Sequence, residues 1–278
     1  MTKPNIPPIK INLITLFKLY RLIKKLIKQL NQKSMCLRKW FSKPDPEPIP
    51  EFTNNTVESL VIGDYPGTVN DLNGPPFDQV KFKDKLLSIW PHYTFRLFKD
   101  SEATKGRFKG DLTKAVSRIK EGDLLLFIMD NCFSESNTKK FKDRSLKANN
   151  YISISACLDH ETAADAVFNN VPSGALHFAL EQQMQKGITY RQWHILTKAY
   201  LKAHRFAQTC TIEGPDALLD RQIFEGNVTC FEISSHGTKV PDRDGDELDN
   251  RDEAVCFYDG NVIDDEINEI ISTNKYLI

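Results

Sequence analysis

Short apolar runs alternate with segments of helical periodicity along most of this chain. Apolar runs bounded by glycine or polar residues predict five buried strands, over 59–63, 94–98, 122–129, 151–156 and 227–234. Apolar positions at helical spacing predict helices over 78–90, 103–120, 173–186, 189–205 and 263–272. Strands that alternate with helices predict an α/β fold with a mostly parallel β-sheet and helices on both faces.

The first 43 residues have a different pattern. Residues 10–33 place leucine and isoleucine on one helical face and lysine on the other, which predicts a basic amphipathic helix. Up to Lys43 there are eleven Lys and Arg residues and no acidic residue. Such a helix suits an anionic membrane surface or a partner groove, or it packs on the domain as a leader, and periodicity does not choose between these. Its basic face alone is no strong signal for nucleic acid.

Alternating prolines separate this extension from the rest. Residues 44–55 include Pro-Asp-Pro-Glu-Pro-Ile-Pro50, which favours an extended linker and excludes a helix. We therefore expect one folded domain over residues 56–278. From residue 51 onward the chain has 26 basic and 35 acidic residues, so an acidic domain follows a basic extension although the net charge of the whole chain is zero.

The cysteines and the apolar stretches bear on the compartment. None of the six cysteines forms a C-x-x-C pair, and a chain of 278 residues has enough core not to need disulfides. We expect reduced thiols and a cytoplasmic location, with membrane association through residues 10–33 as the alternative. Nothing resembles a signal peptide, and five cations interrupt the apolar stretch 11–30, which excludes a bilayer span there.

Reactive side chains follow two of the predicted strands. Cys132 comes just after the strand 122–129, and His236 just after the strand 227–234. Because chemistry in parallel sheets is found at the carboxyl ends of the strands, Cys132 and His236 would face each other if these strands are neighbours. An imidazole beside a thiol promotes its deprotonation and later protonates the leaving amine. Gly237 and Cys132 could supply backbone N–H donors for an oxyanion hole, at roughly 3 kcal/mol per donor.

Each signal has an ordinary alternative when taken alone. A cysteine at a strand end is usually a small buried apolar residue, and Ser-His-Gly is usually a turn. The surrounding sequence strengthens the catalytic interpretation. Ser-Ser-His-Gly-Thr238 resembles the box around the metacaspase histidine, and Asp130-Asn-Cys-Phe-Ser134 resembles the box around the nucleophile. The loop 65–74 and the acidic stretch 240–266 are also similar to metacaspase segments, and the resemblance covers roughly residues 58–272.

This resemblance implies a caspase-like cysteine endopeptidase with Cys132 as nucleophile and His236 as base, needing no cofactor for the chemistry. Its substrates would be proteins or peptides cleaved after Arg or Lys, with Asp78, Asp130 and Ser234 in the specificity pocket. Carboxylates suit a guanidinium because they make charge-assisted, bidentate hydrogen bonds. For Asp78 the alternative is a favourable charge at a helix N-terminus. In metacaspases the histidine box precedes the cysteine box, so here the connectivity is rearranged (permuted).

The acidic stretch also bears on calcium. Asp242, Asp244, Asp246 and Glu253 match four positions of an EF-hand loop, but Glu247 stands where the loop requires glycine. Resemblance to calcium-activated metacaspases implies a different site, formed by Asp252, Asp264 and Asp265. The alternative is a solvated acidic loop.

Two further hypotheses concern activity. Lys139, Lys140 and Arg144 follow the nucleophile, so a peptidase specific for basic residues could cut itself there. The competing function is a catalytically silent caspase-like module for binding or regulation, which the departures Asn131, Phe133 and Ser235 from the family boxes favour. A third interpretation makes the basic helix a tether and the domain its cargo.

Overall fold

The computed structural model describes residues 48–65, 71–135, 150–168, 170–243, 245 and 249–277. Within them the strands are β1 (Thr56–Val61), β2 (Thr94–Lys99), β3 (Leu124–Asp130), β4 (Tyr151–Ser155), β5 (Asp165–Phe168), β6 (Val171–Gly174), β7 (Thr211–Glu213), β8 (Val228–Ser234), β9 (Gly237–Pro241), β10 (Arg251–Phe257) and β11 (Gly260–Ile263). The α-helices are α1 (Pro75–Ile89), α2 (Lys105–Arg118), α3 (Ala175–Gln183), α4 (Tyr190–Ala203), α5 (Asp216–Leu219) and α6 (Asp264–Ile271).

The central sheet has six strands in the order β2-β1-β8-β3-β4-β7. All its pairs are parallel except β4 with β7, which is antiparallel. Strand β8, which comes late in the chain, lies between β1 and β3. The prediction of a mostly parallel α/β sheet is therefore confirmed, and the strands that precede Cys132 and His236 are neighbours.

Helices cover both faces of the sheet, because alternate residues of each strand point to opposite sides. In β3, Leu124, Leu126 and Ile128 belong to the core cluster that includes residues of α1, α3 and α4. Leu125, Phe127 and Met129 belong to the other cluster, which includes residues of α2 and α6. The central strands β1, β3, β4 and β8 are buried along their whole length, as strands covered on both faces must be.

A buried ion cluster joins the first two strands to α2. Arg96 of β2 forms an ion pair with Glu58 of β1 at 3.0 Å and with Asp111 of α2 at 2.7 Å. Burial and the nearby Asp111 raise the pKa of Glu58 to about 8 despite the ion pair with Arg96. The guanidinium also stacks 4.1 Å from the ring of Phe52.

Several small strands differ from the expected elements. Strands β9, β10 and β11 form a separate antiparallel sheet, and β5 pairs with β6 in a hairpin. The helix expected over 173–186 begins only at Ala175, because Ser173 and Gly174 still pair with β5. Helix α1 begins at Pro75 rather than 78, since proline is favoured in the first helical turn.

Pro50–Ile278 forms one compact unit. Phe52, which lies within the segment expected to be a linker, is buried against this unit. The expected helix over 10–33, the first part of the proline-rich segment, and the candidate cleavage residues Lys139, Lys140 and Arg144 lie outside the described residues. Across the portion that is described, no helix has the length and apolar character needed to cross a membrane.

Candidate active site

Cys132 and His236 occupy equivalent positions beyond two paired strands. Strands β3 and β8 run parallel with Asp130 opposite Ser234, and each reactive residue follows two positions later. Both side chains line one cleft, together with Asp130, Ser234 and Ser235. The rest of its wall is Leu72, Pro75, Ala163, Ala164, Asp165 and Gly174. The structure thus brings the two sequence-predicted residues to one surface opening.

Backbone and ring contacts position His236. Its backbone N–H donates to the hydroxyl of Tyr65 at 2.8 Å, and its carbonyl accepts from the backbone N–H of Cys256 at 2.9 Å. The imidazole packs on the Tyr65 ring, with the two centroids 4.8 Å apart. Ser235, a departure from the metacaspase box, donates its hydroxyl to the His236 carbonyl at 3.0 Å. The backbone N–H, the carbonyl and the imidazole ring of His236 therefore each have a contact that fixes their position.

The loop that carries Cys132 is packed tightly against Gly237. A side chain at Gly237 would place its Cβ 2.8 Å from both the Cys132 carbonyl carbon and Asn131 Nδ2, and closer still to the Cys132 carbonyl oxygen. Only glycine fits there. Asn131 is itself buried and donates its amide to the Cys132 carbonyl at 3.0 Å. The next residue, Phe133, has a left-handed φ of 56°, which turns the chain sharply after the cysteine.

The environment of Cys132 favours the protonated thiol. Burial raises its pKa above the ordinary value, and the charge of Asp130 raises it further, while backbone groups of Ala163 and Gly237 lower it. A thiol whose pKa is raised carries little thiolate at neutral pH. The contact with Gly237 also places the backbone of the histidine segment beside the sulfur.

The three residues expected in a specificity pocket are all buried, but not equally placed. Asp130 and Ser234 line the cleft directly, at the paired ends of β3 and β8. Asp78 lies behind them on α1: its carboxylate accepts from the Gly174 backbone N–H at 2.8 Å and from the Ser173 hydroxyl. Its side chain thus bonds to the β6 strand end. Burial raises the pKa of Asp78 to about 7.

A histidine that sequence reasoning missed lies beneath the cleft. His177 of α3 is buried, and its Nδ1 is 2.9 Å from Asp130 Oδ2. Its Nε2 forms an ion pair with Glu232 of β8 at 2.6 Å. Burial alone would lower the pKa of His177, but Glu232 and Asp130 raise it well above the usual value. The sequence does contain one signal for such a partner. Glu232 stands inside a central strand that is predicted to be buried, and a buried carboxylate requires a charged or hydrogen-bonding partner.

Asp78, Asp130 and His177 offer ligand atoms within 4.8 Å of one another, a spacing that a metal ion could bridge. Both ring nitrogens of His177 are already occupied by carboxylates, however. A metal would need a nitrogen lone pair that neither contact leaves available. This cluster is therefore better described as an internal ion cluster than as a metal centre.

The candidate calcium residues lie near one end of the β10–β11 hairpin, and their carboxylate oxygens do not form a group within 4.8 Å of one another as those of Asp78, Asp130 and His177 do. Asp252 is on β10, while Asp264 and Asp265 begin α6, and pairing of Ala254 with Ile263 puts all three at one end of the β10–β11 hairpin. Asp252 and Asp264 are fully buried. Of the EF-hand-like positions, Asp244 and Asp246 lie outside the described residues, and Glu253 pairs with Lys239 at 2.8 Å.

Comparisons with known proteins give one short sequence similarity. No protein-family model matches the chain. Metacaspase-3 of Arabidopsis thaliana is 44% identical over 59 residues, which are 18% of this chain and 16% of that protein. The chain thus spans only 16% of the length of this curated relative. The crystal structure of protein GSU0716 from Geobacter sulfurreducens has a TM-score of 0.44 at 13% identity, over 61% of this chain and 98% of that one. The α/β architecture is consistent with a caspase-like fold, and one short part of the chain is similar to a metacaspase.

Proposed function

We propose that this protein is a cysteine endopeptidase of the metacaspase type that cleaves peptide bonds after arginine or lysine. The observation that carries the proposal is the register of β3 with β8, which brings Cys132 and His236 into one cleft beside the buried carboxylate of Asp130. The short similarity to a metacaspase supports the same reaction class.

The reaction begins when His236 takes the proton of the Cys132 thiol. The sulfur attacks the carbonyl carbon of the scissile bond, and backbone N–H groups of Gly237 and Cys132 stabilise the resulting oxyanion. His236 then protonates the leaving amine, and an acyl-enzyme remains on Cys132. Water, deprotonated by the same imidazole, releases the acid product and restores the thiol. Because the pKa of the Cys132 thiol is raised, the attack step needs a base, and His236 supplies it in this proposal.

Basic specificity rests on the acidic end of the cleft. Asp130 and Ser234 line it, so a substrate guanidinium or ammonium would contact them first. Asp78 adds a carboxyl group behind Gly174. A buried carboxylate binds a guanidinium with strong, charge-assisted hydrogen bonds, which explains why an uncharged side chain would bind less well.

Calcium belongs to the same proposal as a regulatory ligand. Oxygen donors are the ligands that Ca²⁺ prefers, and Asp252, Asp264 and Asp265 would hold it at the end of the β10–β11 hairpin. Two of these three carboxylates are fully buried, an arrangement in which a bound cation offsets their charge. This hairpin follows β9, which begins at Gly237, so an ion there would steady the segment next to the histidine.

Hydrolysis of matched fluorogenic peptides tests the proposal. Wild type should cleave a peptide with arginine before the reporter, and Cys132→Ala and His236→Ala should each abolish turnover. Cys256→Ala is the matched control. This partly exposed thiol is close enough to Cys132 for the charge of Cys132 to raise the pKa of Cys256, but it takes no part in the proposed reaction. Measurements with calcium and with a chelator show whether the ion is required. Absence of turnover by wild type in every condition would rule out the peptidase.

One observation favours the silent module instead. The Asp130 carboxylate already has an internal partner in His177, an arrangement that can serve a binding cleft without any catalytic step. The two functions differ in a simple binding experiment. A silent module should bind arginine peptides without cleaving them, and intact peptide after prolonged incubation, established by mass spectrometry, would favour it.

A further inference from the structure

His177 connects the candidate specificity pocket to the centre of the sheet. Asp130 receives two bonds on the same oxygen: Oδ2 accepts from His177 Nδ1 at 2.9 Å and from the His177 backbone N–H at 3.2 Å. Oδ1 accepts no hydrogen bond from the residues that the structure describes. Because Asp130 also lines the cleft, one oxygen is anchored inside and the other remains for a ligand.

The proton count of this cluster follows from geometry. A nitrogen lone pair and a carboxylate oxygen repel each other at 2.6 Å, so the ion pair of His177 Nε2 with Glu232 Oε1 requires an imidazole protonated at Nε2, although the two atoms are not aligned as a hydrogen bond. The same argument places a proton between Nδ1 and Asp130. With these two protons, the cluster consists of two carboxylates, Glu232 and Asp130, and one imidazolium, His177. Its net charge is one negative unit, whichever atom each proton is closer to.

Within this cluster, the negative charge that a ligand can reach is that of Asp130 at the cleft. Glu232 is completely buried on β8, and the ring of Phe82 on α1 meets the imidazole edge-on at 6.0 Å. Asp78 is the other carboxyl group nearby, and it bonds to Ser173 and Gly174 rather than to the imidazole. Of the three carboxyl groups around His177, only Asp130 lines the cleft. A charged ligand would therefore meet the excess negative charge there.

We propose that His177 is a positioning residue for recognition of a basic side chain: it neutralises Glu232 and fixes Asp130 so that the free carboxylate oxygen meets the substrate arginine. The inference rests on the proposed function for its substrate class. The acidic groups of the pocket then do not act independently, because His177 of α3 links Asp130 of β3 to Glu232 of β8. Without the imidazole, Asp130 would lose the side-chain donor that orients it, and Glu232 would be left as a buried charge without its partner.

Peptide binding in the Cys132→Ala background tests this without requiring catalysis. The probes are a fluorescein-labelled peptide with one central arginine and its twin with citrulline, which has nearly the same shape but no charge. Fluorescence anisotropy should give at least tenfold tighter binding of the arginine peptide. Adding His177→Gln should reduce this preference to less than threefold, because the longer amide reaches toward Glu232 and leaves Asp130 with only the backbone N–H of residue 177 as a donor. Adding His177→Asn, whose amide takes the place of Nδ1, should keep most of it.

The controls separate positioning from general damage. His194→Gln changes another partly buried histidine, on α4, which bonds to the Cys210 carbonyl; it should leave the preference unchanged. Equal preferences in the Asn and Gln variants of His177, with both folded by circular dichroism, would overturn the proposal. If His177→Gln does not fold, Glu232→Gln decides: the Nδ1 bond to Asp130 remains, so a loss of the arginine preference there would contradict the inference.

Kinetics with Cys132 intact distinguish this inference from the proposed function. In His177→Gln the KM for an arginine substrate should rise at least tenfold while kcat changes less than threefold, because Cys132 and His236 are untouched. Wild type that discriminates arginine from citrulline but never cleaves would refute the peptidase and leave the role of His177 standing. Wild type that cleaves both peptides equally well would refute the role of His177 and leave the peptidase.

Discussion

Replacing Gly237 with alanine perturbs the candidate site with a single methyl group. The new Cβ would lie 2.8 Å from the carbonyl carbon of Cys132 and from Asn131 Nδ2, and nearer still to the Cys132 carbonyl oxygen, whereas real Cβ contacts essentially never fall below 3.0 Å. The nearest atom is the backbone carbonyl oxygen of Cys132, so no side-chain rotation relieves that overlap. Either the loop that carries Cys132 or the segment that carries His236 must shift, by on the order of 1 Å.

The expected cost falls mainly on catalysis. A misplacement of about 1 Å between reacting groups typically reduces the rate by about 100-fold, equivalent to about 2.7 kcal/mol in the barrier. The same shift moves the N–H donors of Gly237 and Cys132 away from the oxyanion. Overpacking should lower the free energy of unfolding by about 1–3 kcal/mol. The assay is kcat/KM for an arginine substrate, measured beside urea unfolding of the same preparation.

The control carries the same substitution in open space. A Cβ at Gly110, inside α2, would meet no atom within 4 Å. Gly110→Ala should therefore keep full activity and gain about 0.5–1 kcal/mol of stability from the better helix propensity of alanine. A folded Gly237→Ala protein with kcat/KM within threefold of wild type would refute the reasoning, since the cysteine and histidine segments would then tolerate separation.

Three further predictions concern protonation and calcium. Glu58 should lower wild-type stability as the pH rises from about 4.5 through about 8, because its folded-state pKa lies above its unfolded value. The slope should be shallower in Glu58→Gln by up to about 1.4 kcal/mol per pH unit, and identical slopes in urea titrations would contradict this. Iodoacetamide should alkylate Cys132 slowly at neutral pH and faster as the pH rises above about 9, since burial raises its thiol pKa. Peptide mapping in a Cys256→Ala background follows this site, and a rate already maximal at neutral pH would show a preformed thiolate. Calcium should raise the Tm of wild type and of Asp216→Asn, an exposed acidic control, but not of Asp252→Asn, whose buried carboxylate would be a ligand; equal shifts in all three would exclude the hairpin site.

The sequence pattern predicted the central sheet well because its strands are continuous apolar runs. Residues 122–129 lack charge after Asp123, and the strand observed is Leu124–Asp130. The β9–β11 sheet was missed for the opposite reason: Arg251-Asp-Glu begins β10 with three charged residues, a composition typical of loops. Only tertiary contacts, such as that of Glu253 with Lys239, make a buried strand of it. Strand order was also inaccessible, since the neighbours β1 and β8 are far apart in the chain.

The candidate site was predictable where chemistry and strand ends coincide. Cys132 and His236 follow from that rule, whereas Asp130 and Ser234 were implied by the resemblance to metacaspases; all four line the cleft. His177 does not follow from that rule, because it lies inside a mostly buried helix, where the sequence gives a histidine no distinguishing pattern. Its importance appears only when α3 is packed on β3 and β8, where two carboxylates need a shared proton donor.

Strands β3 and β8 occupy the middle of the six-stranded sheet, with β1 and β4 paired on their outer sides. Every backbone amide along them is thus shielded by two neighbours, and neither strand can fray from an edge. In native-state hydrogen exchange such strands open only with the whole domain. The platform beneath the cysteine and histidine would therefore persist until global unfolding, while motion needed for substrate entry is left to the loops and hairpins around it.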